Sequence, residues 1–334
     1  MGPLVKKFGS VCTFRTFYVG RKLRSLLASV LVATSVPTFA LPLTDYNLIL
    51  LEDLNSQSIH VYGKTFVGGD IYAQAWLEFG SRLDKSTQET SLEVVGNLNG
   101  QGMHVQAGYA TWGGENNLGG SNCNGDNLSG GKCLLPGADL NEKAADIANE
   151  LYASSQEFAS LLGNGDLFVN GNQKTLKYTG DDDIAVFNLD GTAIFSQNTS
   201  WALDAGSAQT VIINVSGKNI AYGGGVNLTN GFSARADANN IGASNILWNF
   251  YEAETINFDS MRVNGSVLAP YALVTMGNDI DGALAARSYS GRGQVHNELF
   301  NWTPPPPVTQ VSESSTLMLL LMGLGLISLV RLRR

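Results

Sequence analysis

The chain has 334 residues, with 21 lysine and arginine residues against 29 aspartate and glutamate residues and a formal net charge of −8. Nine of the basic residues lie in the first 40 residues and in the segment from residue 312 onward, which together carry one acidic residue. Residues 41–311 therefore hold 12 basic against 28 acidic residues, a net charge of −16. A surface this acidic argues against nucleic acid as a partner, because phosphate binding needs clusters of lysine and arginine.

The first 40 residues have the layout of a secretory signal. A basic region without acids precedes an apolar stretch from Leu26 to Val36, and small residues stand at Thr38 and Ala40. An N-terminal membrane helix is the weaker interpretation, because this stretch is much shorter than the roughly 20 residues that span a bilayer. We therefore predict export, with cleavage by signal peptidase between Ala40 and Leu41.

The exported segment is rich in glycine and alternates short β-like runs with tight turns. Each run has a few alternating apolar residues followed by Asn-Gly, Asp-Gly or Gly-Gly, which predicts a mainly β fold: a sandwich, a barrel or a β-solenoid. The turns recur at irregular intervals, so no strict repeat is visible. In NGSVLAP we predict a corner at Asn264–Gly265 and the end of a strand at Pro270. Clear runs are VYGKTFVGGDIYA, LEVVGNLNGQGMHV, DLFVNGN, TVIINVSGKNIAY and MRVNGSVLAP.

Two cysteines, Cys123 and Cys133, lie in the glycine- and asparagine-rich stretch GGSNCNGDNLSGGKC. A metal site would need further ligands, and no histidine lies nearby in the sequence. In the oxidising environment of an exported protein we predict that the two cysteines form a disulfide, which would stabilise so small a loop by roughly 2–3 kcal/mol.

One segment departs from the β pattern. DLNEKAADIANELYASSQEFASLLGNG, residues 139–165, predicts a helix over about 139–163. We expect Asp139 to cap it in a capping box with Glu142, and Gly163 and Gly165 to end it. Its apolar residues fall at helical spacing and form one face, which we expect to pack along the β structure. These residues are Leu140, Ala144, Ile147, Leu151, Phe158, Leu161 and Leu162.

The acidic stretch GDDDIA is the best metal candidate in the sequence. Asp181, Asp182 and Asp183 would offer the oxygen ligands that Ca²⁺ prefers, although the EF-hand spacing is absent. A solvated acidic corner is the simpler interpretation. We expect no other cofactor.

The three histidines, His60, His104 and His296, do not stand in a closely spaced metal pattern, and the sequence has no G-x-S-x-G element. His296 and Asn297 fit either a fragment of a catalytic triad or structural hydrogen bonding, and the second is favoured. We therefore predict a protein that is not an enzyme.

The chain ends in an uncharged run from Leu317 to Val330, followed by Arg331, Arg333 and Arg334. As a helix this 14-residue run would span about 21 Å, whereas a bilayer core is about 30 Å thick. It predicts either a weak permanent anchor or a sorting signal that is held in the membrane and then cut. The arginines would stay on the cytoplasmic side.

The layout of leader, short apolar segment and terminal arginines resembles the PEP-CTERM class of exported proteins. Ser312-Glu313-Ser314 stands where that class has its Pro-Glu-Pro box, with serine in place of both prolines. The resemblance implies a Gram-negative bacterium and an exosortase-like sorting enzyme as a partner. We assign residues 304–311 to a Pro-rich linker and residues 312–334 to the sorting tail, which enters the membrane through residues 317–330.

Two blocks, residues 46–71 and 246–300, resemble the choice-of-anchor A domain, an adhesive domain related to ice-binding-like β-helices. The resemblance implies a right-handed β-helix with one α-helix along its side, over residues 41–303. Gln294 stands where the family often has glutamate. The matching stretches are Asn47–Leu50, Asp53–Asn55, Val61–Gly63, Val67–Gly69, Trp248–Phe250, Asn264–Pro270 and Gly293–Asn297.

The resemblance implies an adhesive or structural protein of the cell surface or the biofilm matrix, with an extracellular polysaccharide or another surface polymer as its partner. Trp76, Tyr109, Trp112 and Trp201 would either stack on sugars or pack in the core. One alternative is a β-helix enzyme acting on polysaccharides, which needs paired carboxylates or a base beside bound Ca²⁺. Another is ice binding, which would favour flat ranks of threonine at period two; no sustained T-x-T array is visible.

Overall fold

The computed structural model of this protein describes residues 41–125, 132–237 and 240–302. The predicted leader, the Pro-rich linker and the sorting tail lie outside the described residues. Regular structure is mostly β, as the glycine-punctuated runs predict. The strands, in chain order, are β1 (Tyr46–Leu50), β2 (Leu54–Val61), β3 (Lys64–Val67), β4 (Ile71–Phe79), β5 (Thr90–Val94), β6 (Leu98–Val105), β7 (Tyr109–Trp112), β8 (Asn116–Leu118), β9 (Ser121–Cys123), β10 (Leu134–Pro136), β11 (Asp166–Asn170), β12 (Gln173–Lys177), β13 (Ile184–Asp190), β14 (Ser200–Asp204), β15 (Thr210–Ser216), β16 (Asn219–Ala221), β17 (Asn227–Leu228), β18 (Ile246–Asn249), β19 (Thr255–Asp259), β20 (Val263–Asn264), β21 (Ser266–Met276), β22 (Ile280–Asp281) and β23 (Leu284–Val295).

Helical structure is sparse. The long helix α1 spans Asn141–Ser160, and a helix α2 of four residues, which the sequence did not predict, spans Gly191–Ile194. Short 3-10 segments cover Pro42–Thr44 and Ala243–Asn245. No helix within the described ranges is long and apolar enough to cross a membrane.

Strand pairings in the described ranges are parallel except that of β11 with β12, which form a hairpin. Neighbouring parallel strands cannot be joined by a tight turn, because the chain must first return to the starting edge. Here the return runs through short strands on other faces, so each turn of a coil adds one strand to each face. The predicted β-solenoid is therefore confirmed.

Nineteen of the described strands stack in three faces, and the other four form a separate sheet in the order β11, β12, β14, β17. We call the first the helix face; it holds β13, β15, β18, β21, β23, β1, β3, β5, β7 and β10, in that order. The polar face holds β16, β19, β21, β23, β2, β4, β6 and β8. The tryptophan face holds β20, β22, β23, β2, β4, β6 and β9. Long strands such as β23 bend from one face to the next.

The strand order brings the two ends of the domain together. Because β1 lies between β23 and β3, the first block of the chain continues the stack that the last block completes. From β1 the chain builds outward to β10, and α1 then returns along the helix face toward β13. A helix of 20 residues is about 30 Å long, comparable to the six strand spacings of about 4.8 Å that separate β5 from β15.

Proline at a corner explains one difference from the sequence prediction. Strand β21 continues through Pro270, which we expected to end it. Its pairing with β23 is interrupted between Ala269 and Leu273, however, so Pro270 lies where the strand bends from the helix face to the polar face. Proline is tolerated there because its missing N–H leaves no ladder bond unmade.

Helix α1 packs on the solenoid as predicted, but its ends differ. It begins at Asn141 with Leu140 in the N-cap position and no side-chain cap there, so the predicted capping box of Asp139 with Glu142 is wrong. The Asp139 carboxylate instead accepts a hydrogen bond from the backbone N–H of Asn141 at 3.2 Å. At the other end the helix stops at Ser160, ahead of the predicted glycines.

The buried side of α1 is the predicted apolar face. Ile147, Leu151 and Phe158 are buried against outward side chains of the helix face, and Phe158 meets Trp302 edge to face at 5.1 Å. Leu162, which lies beyond the helix, is instead 78% exposed.

Asparagine side chains hold the C-terminal half of α1. Asn188, Asn214 and Asn249 stand in register on β13, β15 and β18 and bond one another at 3.0 and 2.9 Å. Asn214 Nδ2 also donates to the backbone oxygen of Phe158 at 2.7 Å, and Asn249 exchanges two hydrogen bonds with Ser155 at 2.7 and 2.8 Å. We call these three residues the asparagine ladder; it adds a second partner to the Phe158 carbonyl in the last turn of the helix, which also accepts the backbone N–H of Leu161 at 3.2 Å.

The predicted disulfide between Cys123 and Cys133 is confirmed, with a Cα–Cα distance of 5.8 Å. Cys123 ends β9 on the tryptophan face, and Cys133 immediately precedes β10 on the helix face. The bond therefore links two faces at the last turn of the β1–β10 half of the solenoid.

Loss of this bond should destabilise the protein by about 2–3 kcal/mol. Urea unfolding of the protein and of a double Cys123→Ser, Cys133→Ser variant measures the difference. Intact mass after alkylation checks the bond itself: two alkylated thiols without prior reduction would contradict it.

Candidate binding surface

The corners that lead onto the polar face share one hydrogen-bond pattern. Asp53, Asp70 and Asn97 each accept, on Oδ1, the backbone N–H of the equivalent position one turn further along, at 2.7–2.8 Å. A glycine precedes Asp70 and Asn97, and a Cβ there would overlap the acceptor oxygen of the turn before, at 2.3 and 2.1 Å. These three residues are thus structural, and the spacings of 17 and then 27 residues between them hide the repeat in the sequence.

The polar face presents small polar side chains in register across its strands. One row of side chains in register, which we call the central rank, runs without a gap from β16 to β8, and its neighbouring strands are about 4.8 Å apart. Side chains bond along the stack, as in the contact from Asn117 Nδ2 to Asn99 Oδ1 at 3.1 Å. Tyr72 projects from this rank and is 42% exposed. The rank consists of Ala221, Asn257, Thr275, Ser290, Asn55, Tyr72, Asn99 and Asn117.

The tryptophan face carries an exposed indole on a bed of glycine. Trp76 on β4 is in register with Gly102 on β6, and Gly120 follows on the next turn. A Cβ added at Gly102 would lie 2.9 Å from the indole, and one at Gly120 would lie 3.0 Å from it, so the ring rests on two backbones that have no side chain. His104 lies beside it, with ring centroids 4.6 Å apart. We call Trp76, Gly102, Gly120 and His104 the indole platform.

The structure separates the aromatic residues that the sequence grouped together. Trp76 is 38% exposed, whereas Trp112 and Trp201 are buried in the core and Tyr109 is half-buried. All five tryptophans of the chain lie in the described residues, and each of the other four is at most 8% exposed. Trp76 is the candidate for stacking on a sugar.

The end block and the front block of the chain meet in a polar cluster where the tryptophan face ends. The buried carboxylate of Asp281 accepts hydrogen bonds from Arg262 Nε and Nη2, both at 2.7 Å, and from Asn264 at 2.8 Å. His296 Nδ1 faces Asp281 Oδ1 at 2.5 Å, and its ring stacks on Tyr62. Burial opposes ionisation, but the bonds from Arg262 and His296 outweigh it and hold the pKa of Asp281 below its ordinary value.

This cluster fits the structural interpretation of His296. Its Nε2 lies 3.3 Å from Gln294 Oε1, which also accepts a hydrogen bond from Tyr62 Oη at 2.8 Å. Both ring nitrogens thus face Asp281 and Gln294, and neither faces a hydroxyl or thiol that could act as a nucleophile.

The three candidate calcium ligands do not converge. Asp181, Asp182 and Asp183 are all exposed, and Asp183 Oδ1 accepts a hydrogen bond from Gln209 at 3.1 Å. Within the described ranges no group of three or more His, Cys, Asp or Glu side chains is arranged to hold a metal ion. The arrangement resembles a solvated acidic corner.

Solved structures that are similar to this chain include three ice-binding proteins. An ice-binding protein from the Antarctic ascomycete Antarctomyces psychrotrophicus has 15% identity over 80% of this chain and 100% of that one, with a TM-score of 0.27. The DUF3494 domain of a Shewanella frigidimarina ice-binding protein has 15% identity, coverages of 78% and 96%, and a TM-score of 0.32. An ice-binding protein from an Antarctic biological consortium has 14% identity over 78% of this chain and 90% of that one, with a TM-score of 0.27.

Among curated protein sequences, none matches this chain. A family model described as "Putative Ice-binding-like adhesive domain" matches residues 39–297, which is most of the chain. The match includes every strand described above. The chain therefore belongs to the family of ice-binding-like adhesive domains.

Proposed function

We propose that this protein is an exported bacterial adhesin of the cell surface or biofilm matrix that binds a hydroxyl-rich polysaccharide. The observation that carries the proposal is the indole platform. Trp76 is held flat by two glycines on an otherwise polar surface, and an exposed indole stacks well on the apolar face of a sugar ring.

The neighbours of Trp76 suit such a ligand. His60, Glu78, His104 and Asn122 stand in register across the tryptophan face and offer donors and acceptors for sugar hydroxyls. Contacts of this kind are weak singly, but a solenoid repeats them along a polymer, so that binding gains from multivalency. The net charge of residues 41–311 is strongly negative, which favours neutral polymers.

Export and sorting complete the proposal. The leader cleaved after Ala40 would deliver the domain, and the tail at 312–334 would be processed by an exosortase-like enzyme after transient insertion of residues 317–330. Both rest on the sequence layout. The disulfide supports an oxidising compartment.

Ice binding is less well supported by the exposed surface. The central rank of the polar face contains one threonine, Thr275, and Tyr72 interrupts its flatness. Carboxylates of Asp53, Asp70 and Glu115 line one edge, and charged groups hold their own hydration water strongly. We therefore expect no inhibition of ice recrystallisation.

Replacing Trp76 by alanine should weaken binding to a neutral polysaccharide such as dextran or a cellulose oligomer about tenfold, which corresponds to about 1.4 kcal/mol. Isothermal titration calorimetry measures the binding of every variant, because it does not depend on the tryptophan that is replaced. In the wild type a bound sugar should also shield Trp76, the exposed tryptophan, from iodide quenching. Gly120→Ala provides a second variant: it keeps the indole but displaces its far edge, so affinity should fall while stability stays nearly unchanged.

Phe168→Ala is the matched control. Phe168 is an exposed aromatic, 55% accessible, on the hairpin strand β11, and its loss should leave binding unchanged. Equal binding by the wild type and Trp76→Ala would refute the proposal. Ice recrystallisation inhibition by the wild type would favour the ice-binding alternative instead, and a rise in reducing ends would favour an enzyme.

A further inference from the structure

A pocket opens beside the Asp281 cluster, where the strands of the tryptophan face end. Its volume is about 480 Å³, which lies within the range of roughly 300–1,000 Å³ that small-molecule sites occupy. Its charged lining comes from Arg82, Arg235, Arg262, Asp281 and Glu298. The polar side chains of His296 and Asn297 complete the wall.

The arginines are unusual for this protein. Residues 41–311 contain five arginines, and three of them line this pocket although acids outnumber bases in that segment by 28 to 12. Arg262 is paired with Asp281 through two of its three nitrogens. Neither Arg82 nor Arg235 forms an ion pair with a residue in the part of the chain that the structure describes.

The pocket is also preorganised. The guanidinium of Arg82 lies over the ring of Tyr62, 5.2 Å from its centroid, and the ring of His296 lies against the same tyrosine with its centroid 4.7 Å away. The charge of Asp281 is already paired with Arg262 through two hydrogen bonds, so it leaves Arg82 and Arg235 uncompensated. Of the remaining lining groups only Glu298 opposes them; Asp279 lies behind the wall, with its carboxylate 4.0 Å from His296 Nε2.

We propose that this pocket binds the carboxylate of a uronic acid residue in an acidic polysaccharide. Arginine recognises planar carboxylates through paired hydrogen bonds, and Arg82 and Arg235 are the two that have that capacity free. His296, Asn297 and Glu298 supply partners for the hydroxyls of the sugar ring. The site goes beyond the proposed adhesin function, because it selects an anionic group that the indole platform does not recognise.

Direct recognition by arginine requires no calcium ion between this acidic protein and an acidic polymer. Binding should therefore persist in a chelator. A short oligouronide is the appropriate probe, because a long anionic chain would also be repelled by the net charge of −16.

Calorimetric titration of the full chain with a galacturonate trimer tests the proposal, with a neutral galactose trimer and inorganic sulfate as comparison probes. We expect saturable binding of the galacturonate trimer with and without chelator, and weaker binding of both other probes. Arg82→Ala and Arg235→Ala should each reduce affinity at least fivefold. Arg262 is not replaced in this test, because its loss would also leave the buried charge of Asp281 without its ion-pair partner.

Arg292→Ala is the matched control, since Arg292 is an exposed arginine on the tryptophan face outside this pocket and its loss should not change binding. Trp76→Ala should also retain galacturonate binding, so failure of the indole platform and failure of this pocket are distinguishable. No binding by the wild type, unchanged binding in both pocket variants, or loss of binding in chelator would overturn the proposal. Sulfate binding as tight as that of the trimer would overturn the assignment to a uronic acid.

Discussion

Replacing Asp281 by asparagine should lower the free energy of unfolding by about 3 kcal/mol, the lower part of the range for breaking a buried ion pair. The side chain is 1% exposed and satisfies Arg262, Asn264 and His296 at once. Asparagine removes the charge and turns an N–H₂ group toward these donors. The cost stays in the lower part of the range because Arg262 is half-exposed and regains water. Urea unfolding followed by circular dichroism at pH 7 measures it.

The effect should depend on pH with a definite sign. Because the folded-state pKa of Asp281 is lowered, its stabilisation is fully present above the unfolded-state pKa of about 4 and is lost as the pH falls through the folded-state value. The difference between the wild type and Asp281→Asn should thus shrink as the pH falls below about 4. Asp146→Asn, at an exposed position of α1, is the control; an equal cost for both variants would contradict the argument.

Much of the fold could be predicted from local sequence. Asn-Gly and Gly-Gly turns after short apolar runs mark the strands and corners, and the apolar spacing in 139–163 marks α1. The pairing of Cys123 with Cys133 followed from compartment and spacing. These signals are local, and each depends on residues that are close in the chain.

The details of the surface depend on residues that are far apart in the chain. Gly102 and Gly120 look like turn residues in the sequence, but only the strand register shows that they lie under Trp76. Arg82, Arg235 and Arg262 appear scattered, because the pocket joins the corner after β4, the loop before β18 and the turn before β20. Without the strand order, no spacing rule connects them.

The asparagine ladder is another feature that periodicity could not reveal. We expected α1 to pack through its apolar face, and Asn249 in the W-N-F stretch gave no sign of its partner 94 residues earlier. Parallel strands in exact register place like side chains above one another, so asparagines on successive turns bond as a row. Such a row is specific to one register, since a shift by one residue would turn the amides into the core.

Replacing Asn249 by alanine should therefore destabilise the protein by about 3 kcal/mol, since each buried polar group left without a partner costs about 1–3 kcal/mol. The change removes the partner of Asn214 Oδ1 and both bonds to Ser155, all in a fully buried position. Asn188→Ala is the matched control, because Asn188 occupies the exposed end of the same ladder and its loss should cost less than about 1 kcal/mol. Urea unfolding gives both values, and amide hydrogen exchange in α1 locates the effect. Faster exchange confined to the C-terminal half of α1 in Asn249→Ala is expected; equal costs for the two variants, or unchanged exchange there, would show that apolar packing alone holds the helix.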